Sequence, residues 1–176
     1  MQLASSEAMR TLLAATRGPD QPATFYEVLR QVLDECVGFL FVTIFVIDGG
    51  ETLRVFSTEP RLYPIGERKP MAATAWGEQV LRQQRSFLAD DAQAVKLAFF
   101  DHEKIATLGC GAVMSVPVVY GGRCLGVLNL NHREHFYDAG HLQAVEILAP
   151  TLIPVFLDAL YGIGRTDHRP PTNVSL

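Results

Sequence analysis

The segment Phe39–Thr58 constrains the fold more than any other part of the chain. Phe39–Ile47 is dense in Phe, Val, Ile and Thr, residue types that fill a pleated, buried strand. Asp48-Gly49-Gly50-Glu51 follows, and consecutive glycines accept the positive φ that a tight hairpin turn requires. Thr52–Thr58 is the returning strand. With Gly49 and Gly50 as the turn, Ile47 faces Thr52, and opposed residues share a face. One face then carries Ile44, Val46, Leu53 and Val55, and suits packing on helices. The other carries Phe41, Thr43, Phe45, Arg54, Phe56 and Thr58, which are aromatic with polar interruptions. A small-molecule cavity needs that mix of apolar walls and a few orienting polar groups. An ordinary sheet face covered by a loop has the same pattern.

A helix is expected on each side of this hairpin. Thr24-Phe25-Tyr26-Glu27 has capping-box spacing. Phe25, Val28, Leu29, Val32, Leu33 and Cys36 then form one apolar helical face, closed by Gly38. Upstream, Ser5–Thr16 is weakly helical, with Leu12 and Leu13 as its apolar residues and Gly18-Pro19 ending it. Downstream, Glu59–Pro70 holds three prolines and reads as a loop. Thr74–Gln84 reads as a short helix, with Trp76, Val80 and Leu81 as its contacts, and Ser86–Ala89 as a brief strand. Asp91 can cap a helical segment on which Val95, Ala98, Phe99, His102, Ile105 and Ala106 share a face.

A second hairpin joins Gly111–Tyr120 to Arg123–Asn131 through Gly121-Gly122. With that turn, Val119 faces Cys124 and Ser115 faces Leu128. Both faces are apolar with one polar interruption, so the pattern does not decide which of them meets a cavity. Pro117 cannot donate to a ladder and belongs at a bulge or a weakly paired position. In the last helix, Phe136–Leu160, an apolar stripe from Leu142 to Leu160 is interrupted by Pro150 and Pro154.

This order of elements resembles the GAF domain. The resemblance rests chiefly on Met114-Ser115-Val116-Pro117-Val118, Gly121-Gly122 and Leu125-Gly126-Val127-Leu128-Asn129-Leu130, with Phe39–Asp48 and Phe136 in support. It implies an α+β fold, PAS-related, with a central antiparallel sheet of five to six strands. Terminal helices would cover one face, and a ligand pocket would lie on the other beneath the segment after Asp91. The domain would run over 22–161, after an N-terminal helix and linker (1–21) and before a disordered tail (162–176). Such domains bind small molecules and signal through dimerisation or a partner chain. The Asn-Lys-x-Phe-Asp-Glu set of cyclic-nucleotide binders is absent. Cys110 is followed by Gly111, not by the His common at bilin-attachment sites. Free methionine sulfoxide reductases carry an acidic residue where this chain has Asn129, and their wider cysteine pattern is missing.

Composition narrows the function further. The chain has 176 residues, 48% of them hydrophobic, and a formal net charge of −4. That suits one domain with a sizeable core. Scattered Lys and Arg disfavour a nucleic-acid partner. Met1–Arg10 has no secretory pattern, and the apolar run Cys36–Ile47 is far short of the ~20 residues that cross a bilayer. A cytoplasmic location with no membrane partner is expected. The three cysteines, Cys36, Cys110 and Cys124, suit a reducing compartment. Cys36 is expected to be buried. Cys110 and Cys124 fall at opposite ends of the second hairpin, about 30 Å apart at ~3.3 Å per residue, too far to bridge.

The expected site residues are Thr43, Phe45, Arg54, Phe56, Trp76, Phe99, Phe100, His102 and Ser115. The aromatic residues would wall a ligand, and Thr43, Arg54, His102 and Ser115 would supply polar contacts. Arg54 would favour a carboxylate or phosphate. No resident cofactor can be named. The cluster His132, Glu134, His135, Asp138 and His141 matches no metal-ligand spacing, and no metal site is expected. The leading reading is a sensory domain that forms a homodimer or acts on a separate effector. An enzymatic alternative is a thiol-dependent reductase of free methionine sulfoxide, with Cys110 as its thiol. A third alternative is a ligand-free dimerisation module.

Overall fold

In the computed structural model, which describes residues 2–71 and 73–162, the two long hairpins lie side by side in one antiparallel sheet. Its strands are β1 (Phe41–Asp48), β2 (Glu51–Ser57), β3 (Arg68–Pro70), β4 (Phe87–Ala89), β5 (Ala112–Tyr120) and β6 (Arg123–His132), in the order β3-β2-β1-β6-β5-β4. β1 and β6 pair from Phe41↔Asn131 to Val46↔Gly126, so the first and last strands share the middle of the sheet.

One face of the sheet is covered by α1 (Gln2–Ala15), α2 (Ala23–Cys36), α6 (Ala139–Leu148) and α7 (Ile153–Tyr161). Their Leu12, Phe25, Leu29, Leu33, Leu148 and Phe156 pack with Ile44, Val46, Met114, Leu128 and Leu130 into the main core. Leu12 is fully buried whereas Leu13 is half exposed. Pro150 and Pro154 interrupt the last helix as the sequence predicts: a 3-10 turn, Ala149–Leu152, separates α6 from α7. By length and composition, Ala139–Tyr161 is apolar enough to cross a bilayer. Here its Val145, Leu148, Leu152, Val155 and Phe156 are buried in the core.

The opposite face is covered by shorter pieces. These are α3 (Ala75–Gly77) running into a π-helical turn (Glu78–Arg82), α4 (Ala92–Ala98) and α5 (His102–Thr107). Asp91 caps α4, its carboxylate accepting from the Ala94 amide at 2.7 Å. A smaller core of Phe41, Tyr63, Val95, Ile105 and Val113 lies under this layer.

Several local expectations are corrected. Thr24 and Glu27 form no capping box. α2 begins after Pro22, the Thr24 hydroxyl donates to Pro19 O, and Glu27 pairs with Arg30. Gly38 does close that helix, at φ 85° with its amide on Leu33 O at 2.9 Å. Cys36 is exposed, because α2 is amphipathic and its last turn rotates Cys36 off the buried stripe. The segment after Asp91 is two helices, broken at Phe99–Asp101. Of the tail expected over 162–176, residues 163–176 lie outside the described residues.

Both hairpins contain a bulge, and each moves side chains across the sheet. In the first, Phe45 pairs with Arg54 but Ile44 pairs with Phe56, leaving Val55 as the extra residue. In the second, Val119 pairs with Cys124 but Val118 pairs with Gly126, leaving Leu125 unmatched. One extra residue inverts the alternation beyond it. Phe56 therefore turns to the helical side, where it stacks on Tyr26 at 5.2 Å. Ser115 pairs with Asn129 rather than Leu128. Pro117 lies one step before the second bulge and beyond the end of β4, where its missing amide breaks no ladder.

Candidate functional site

Between the sheet and the α3–α5 layer lies a cavity of about 320 Å³. Its floor is the inner halves of β1, β5 and β6, which present Phe41, Thr43, Phe45, Val113, Asn129 and Asn131. Trp76, Phe99, Phe100 and Ile105 come down from the covering layer, and Arg54, Tyr63 and Lys69 close the β2–β3 end. The rings form a nearly continuous wall. Phe45 lies 6.0 Å from Trp76, Trp76 lies 5.9 Å from Phe99, and Phe41 lies 4.6 Å from Tyr63.

A chain of polar side chains pins the wall to the floor. Trp76 Nε1 donates to Ser115 Oγ at 3.0 Å, Ser115 Oγ donates to Asn129 Oδ1 at 2.7 Å, and Asn129 Nδ2 reaches Thr43 Oγ1 at 3.5 Å. Ser115 is completely buried. It is screened from the cavity behind Trp76 and positions that ring. Replacing Ser115 by Ala leaves a buried indole N–H and a carboxamide oxygen short of partners, and should cost about 1–3 kcal/mol. Urea unfolding followed by tryptophan fluorescence measures this, and Trp76 is the sole reporter.

At the β2–β3 end, Arg54 Nη1 donates to the Glu67 carboxylate and to Pro64 O at 3.2 Å. The guanidinium carbon stands 5.1 Å from the Tyr63 ring centroid, and Lys104 Nζ stands over the same ring at 4.5 Å. Burial would raise the Glu67 carboxyl, but the Arg54 hydrogen bond and the charges of Lys69, Arg54 and Lys104 hold it below its ordinary value. Burial and the Asp101 carboxylate push the Tyr63 phenol upward.

The structure brings together Thr43, Phe45, Arg54, Trp76, Phe99 and Phe100 around one cavity. Phe100 is 85% exposed and forms only its rim. Three expected residues do not line it. Phe56 is on the helical side because of the bulge at Val55. His102 starts α5 beyond the break at Phe99–Asp101, and its Nδ1 meets Phe99 O at 3.2 Å. A continuous helix would have kept it on the Phe99 face. Ser115 lies one layer deeper. Sequence reasoning missed Tyr63, Asp101, Asn129 and Asn131. The two asparagines had a usable signal, since amides alternating with Leu128 and Leu130 in a buried strand mark one polar-tolerant face. Tyr63, in a proline-rich loop, had none.

The histidine cluster has local partners. His132 stacks on Phe136 at 3.4 Å, His135 pairs with Asp90 at 3.6 Å, and His141 completes a capping box with Asp138. Cys110 is buried and does not border the cavity, and its Sγ meets Leu108 O at 3.7 Å. Burial pushes both Cys110 and Cys124 up to about 11. A raised pKa keeps the unreactive thiol form at pH 7. Burial and the Glu35 and Glu7 carboxylates raise Cys36 too, but it is exposed. Iodoacetamide should therefore label Cys36 slowly in the folded protein and Cys110 at a rate that jumps only on unfolding, as peptide mass spectrometry would read.

The family model for the GAF domain matches residues 22–152. This chain belongs to the GAF domain family, whose members are sensory and ligand-binding domains of signalling proteins. Solved structures agree on the fold. The GAF domain of a phosphoenolpyruvate-protein phosphotransferase from Coxiella burnetii superposes with a TM-score of 0.72 at 16% identity, covering 89% of this chain and 95% of that one. The phycoerythrobilin-bound GAF domain of a cyanobacterial phytochrome gives 0.68 at 13% identity, covering 90% and 97%. The free methionine-R-sulfoxide reductase of Neisseria meningitidis, in complex with its substrate, gives 0.64 at 18% identity, covering 86% and 87%. No curated protein sequence matches the chain.

Proposed function

We propose that this chain is a sensory or regulatory domain that binds a small, partly aromatic molecule in the cavity between the sheet and α3–α5. The cavity itself carries the reading: about 320 Å³ of space walled by Phe41, Phe45, Tyr63, Trp76 and Phe99, with Thr43, Asn129 and Asn131 on its floor. A domain with no ligand to bind gains nothing from holding such a space open, because filling it with side chains would add stability. Two similar solved structures, one phycoerythrobilin-bound and one in complex with its substrate, support small-molecule binding by this fold. The occupied cavity would signal through a homodimer built on the terminal helices or through a separate effector chain, in the cytoplasm. The buried, protonated Cys110 favours this reading over a thiol reductase.

Native mass spectrometry of the freshly purified protein tests the proposal. A co-purified molecule of small mass, whose removal shifts Trp76 emission, is the expected result. A protein that is empty from every preparation, and whose Trp76 emission no small molecule changes, would favour a dimerisation module instead.

A further inference from the structure

The polar end of the cavity specifies what it takes. Arg54 uses Nη1 for Glu67 and Pro64. Its Nε is buried and meets no acceptor. Arg54 lines the cavity, and its guanidinium carbon stands 5.1 Å from the ring of Tyr63, which lines it too. A buried guanidinium N–H without an acceptor is costly, and the Nε–Nη2 edge of arginine has the spacing of a carboxylate. In the same cavity, aromatic faces stand at tilts of 54° and 58°, between Trp76 and its neighbours Phe99 and Phe45, and Phe45 is the strand partner of Arg54. A flat ring inserted there finds tilted ring partners. Glu67 and Asp101 contribute two carboxylates beside the three cations Arg54, Lys69 and Lys104. The single positive charge left over matches a monoanion better than the double charge of a phosphate monoester.

Resting on the cavity reading above, we infer that the ligand is an aryl carboxylate monoanion. Its ring lies against Phe45, Trp76 and Phe99. Its carboxylate pairs with the Arg54 guanidinium, whose Nη1 stays on Glu67.

Phenylacetate and phenylacetamide are the test pair, since they share ring and shape and differ in charge. Binding is read from Trp76 emission and by calorimetry on the full chain. The expected result is at least tenfold tighter binding of phenylacetate. That preference should collapse to near unity in Arg54→Gln. In Glu67→Gln, which removes a neighbouring negative charge and keeps Arg54, phenylacetate should bind tighter still. Equal binding of the two compounds, or tighter binding of the amide, would overturn the carboxylate inference and leave the cavity reading intact. No response to either compound at millimolar concentration would overturn it as well, with the cavity reading then judged by mass spectrometry alone.

Discussion

Gly126→Ala is expected to destabilise the domain by about 3 kcal/mol or more, the upper range for overpacking a tight core. Gly126 sits at the crossing of β1, β6 and β5, paired with Val46 on one side and Val118 on the other. A Cβ there would collide with Phe45 O and come within 2.9 Å of Val46 Cα and 2.8 Å of a Phe156 ring carbon. Two of those atoms belong to the central backbone and cannot rotate away. The middle of the sheet or α7 must move instead. Chemical denaturation should show a large fall in midpoint, and an unchanged midpoint would refute the close approach of α7 to the sheet.

Two phenylalanines on opposite sides of that sheet should respond in opposite ways. Phe156 is fully buried among helices and strands, and Phe156→Ala should cost about 3–5 kcal/mol, because the enclosed void cannot collapse. Phe45 is half-buried and borders space that is already open. Phe45→Ala should cost only about 1 kcal/mol, and should weaken aromatic ligands at least about tenfold through the lost ring contact. Unfolding midpoints and ligand titrations measure the pair. A Phe45 variant as unstable as the Phe156 variant would mean that the cavity is filled core.

Much of this arrangement could be read from the amino acids. The two glycine turns, the caps at Asp91 and Gly38 and the proline breaks at 150 and 154 are local chemistry, decided by a few neighbouring residues. The helix-backed side of β1 and the aromatic character of its other side followed from a period of two. That period failed where the ladder gained a residue. The bulges at Val55 and Leu125 have no side-chain signature, since any aliphatic residue can occupy them. Yet they decide that Phe56 leaves the cavity side and that Asn129 joins it. His102 was misplaced for a related reason: the break at Phe99–Asp101 contains no proline or glycine to announce it. Tyr63 was invisible because a loop residue is placed by the fold around it. The partners of Arg54 depend on where Glu67 returns in space, thirteen positions later.

The sheet ends on each side in a strand of only three residues, Arg68–Pro70 at one border and Phe87–Ala89 at the other. Short borders offer few free amides and carbonyls for a foreign strand to dock on, and Pro70 removes one donor outright. The domain is thereby protected against growing sideways into fibrils.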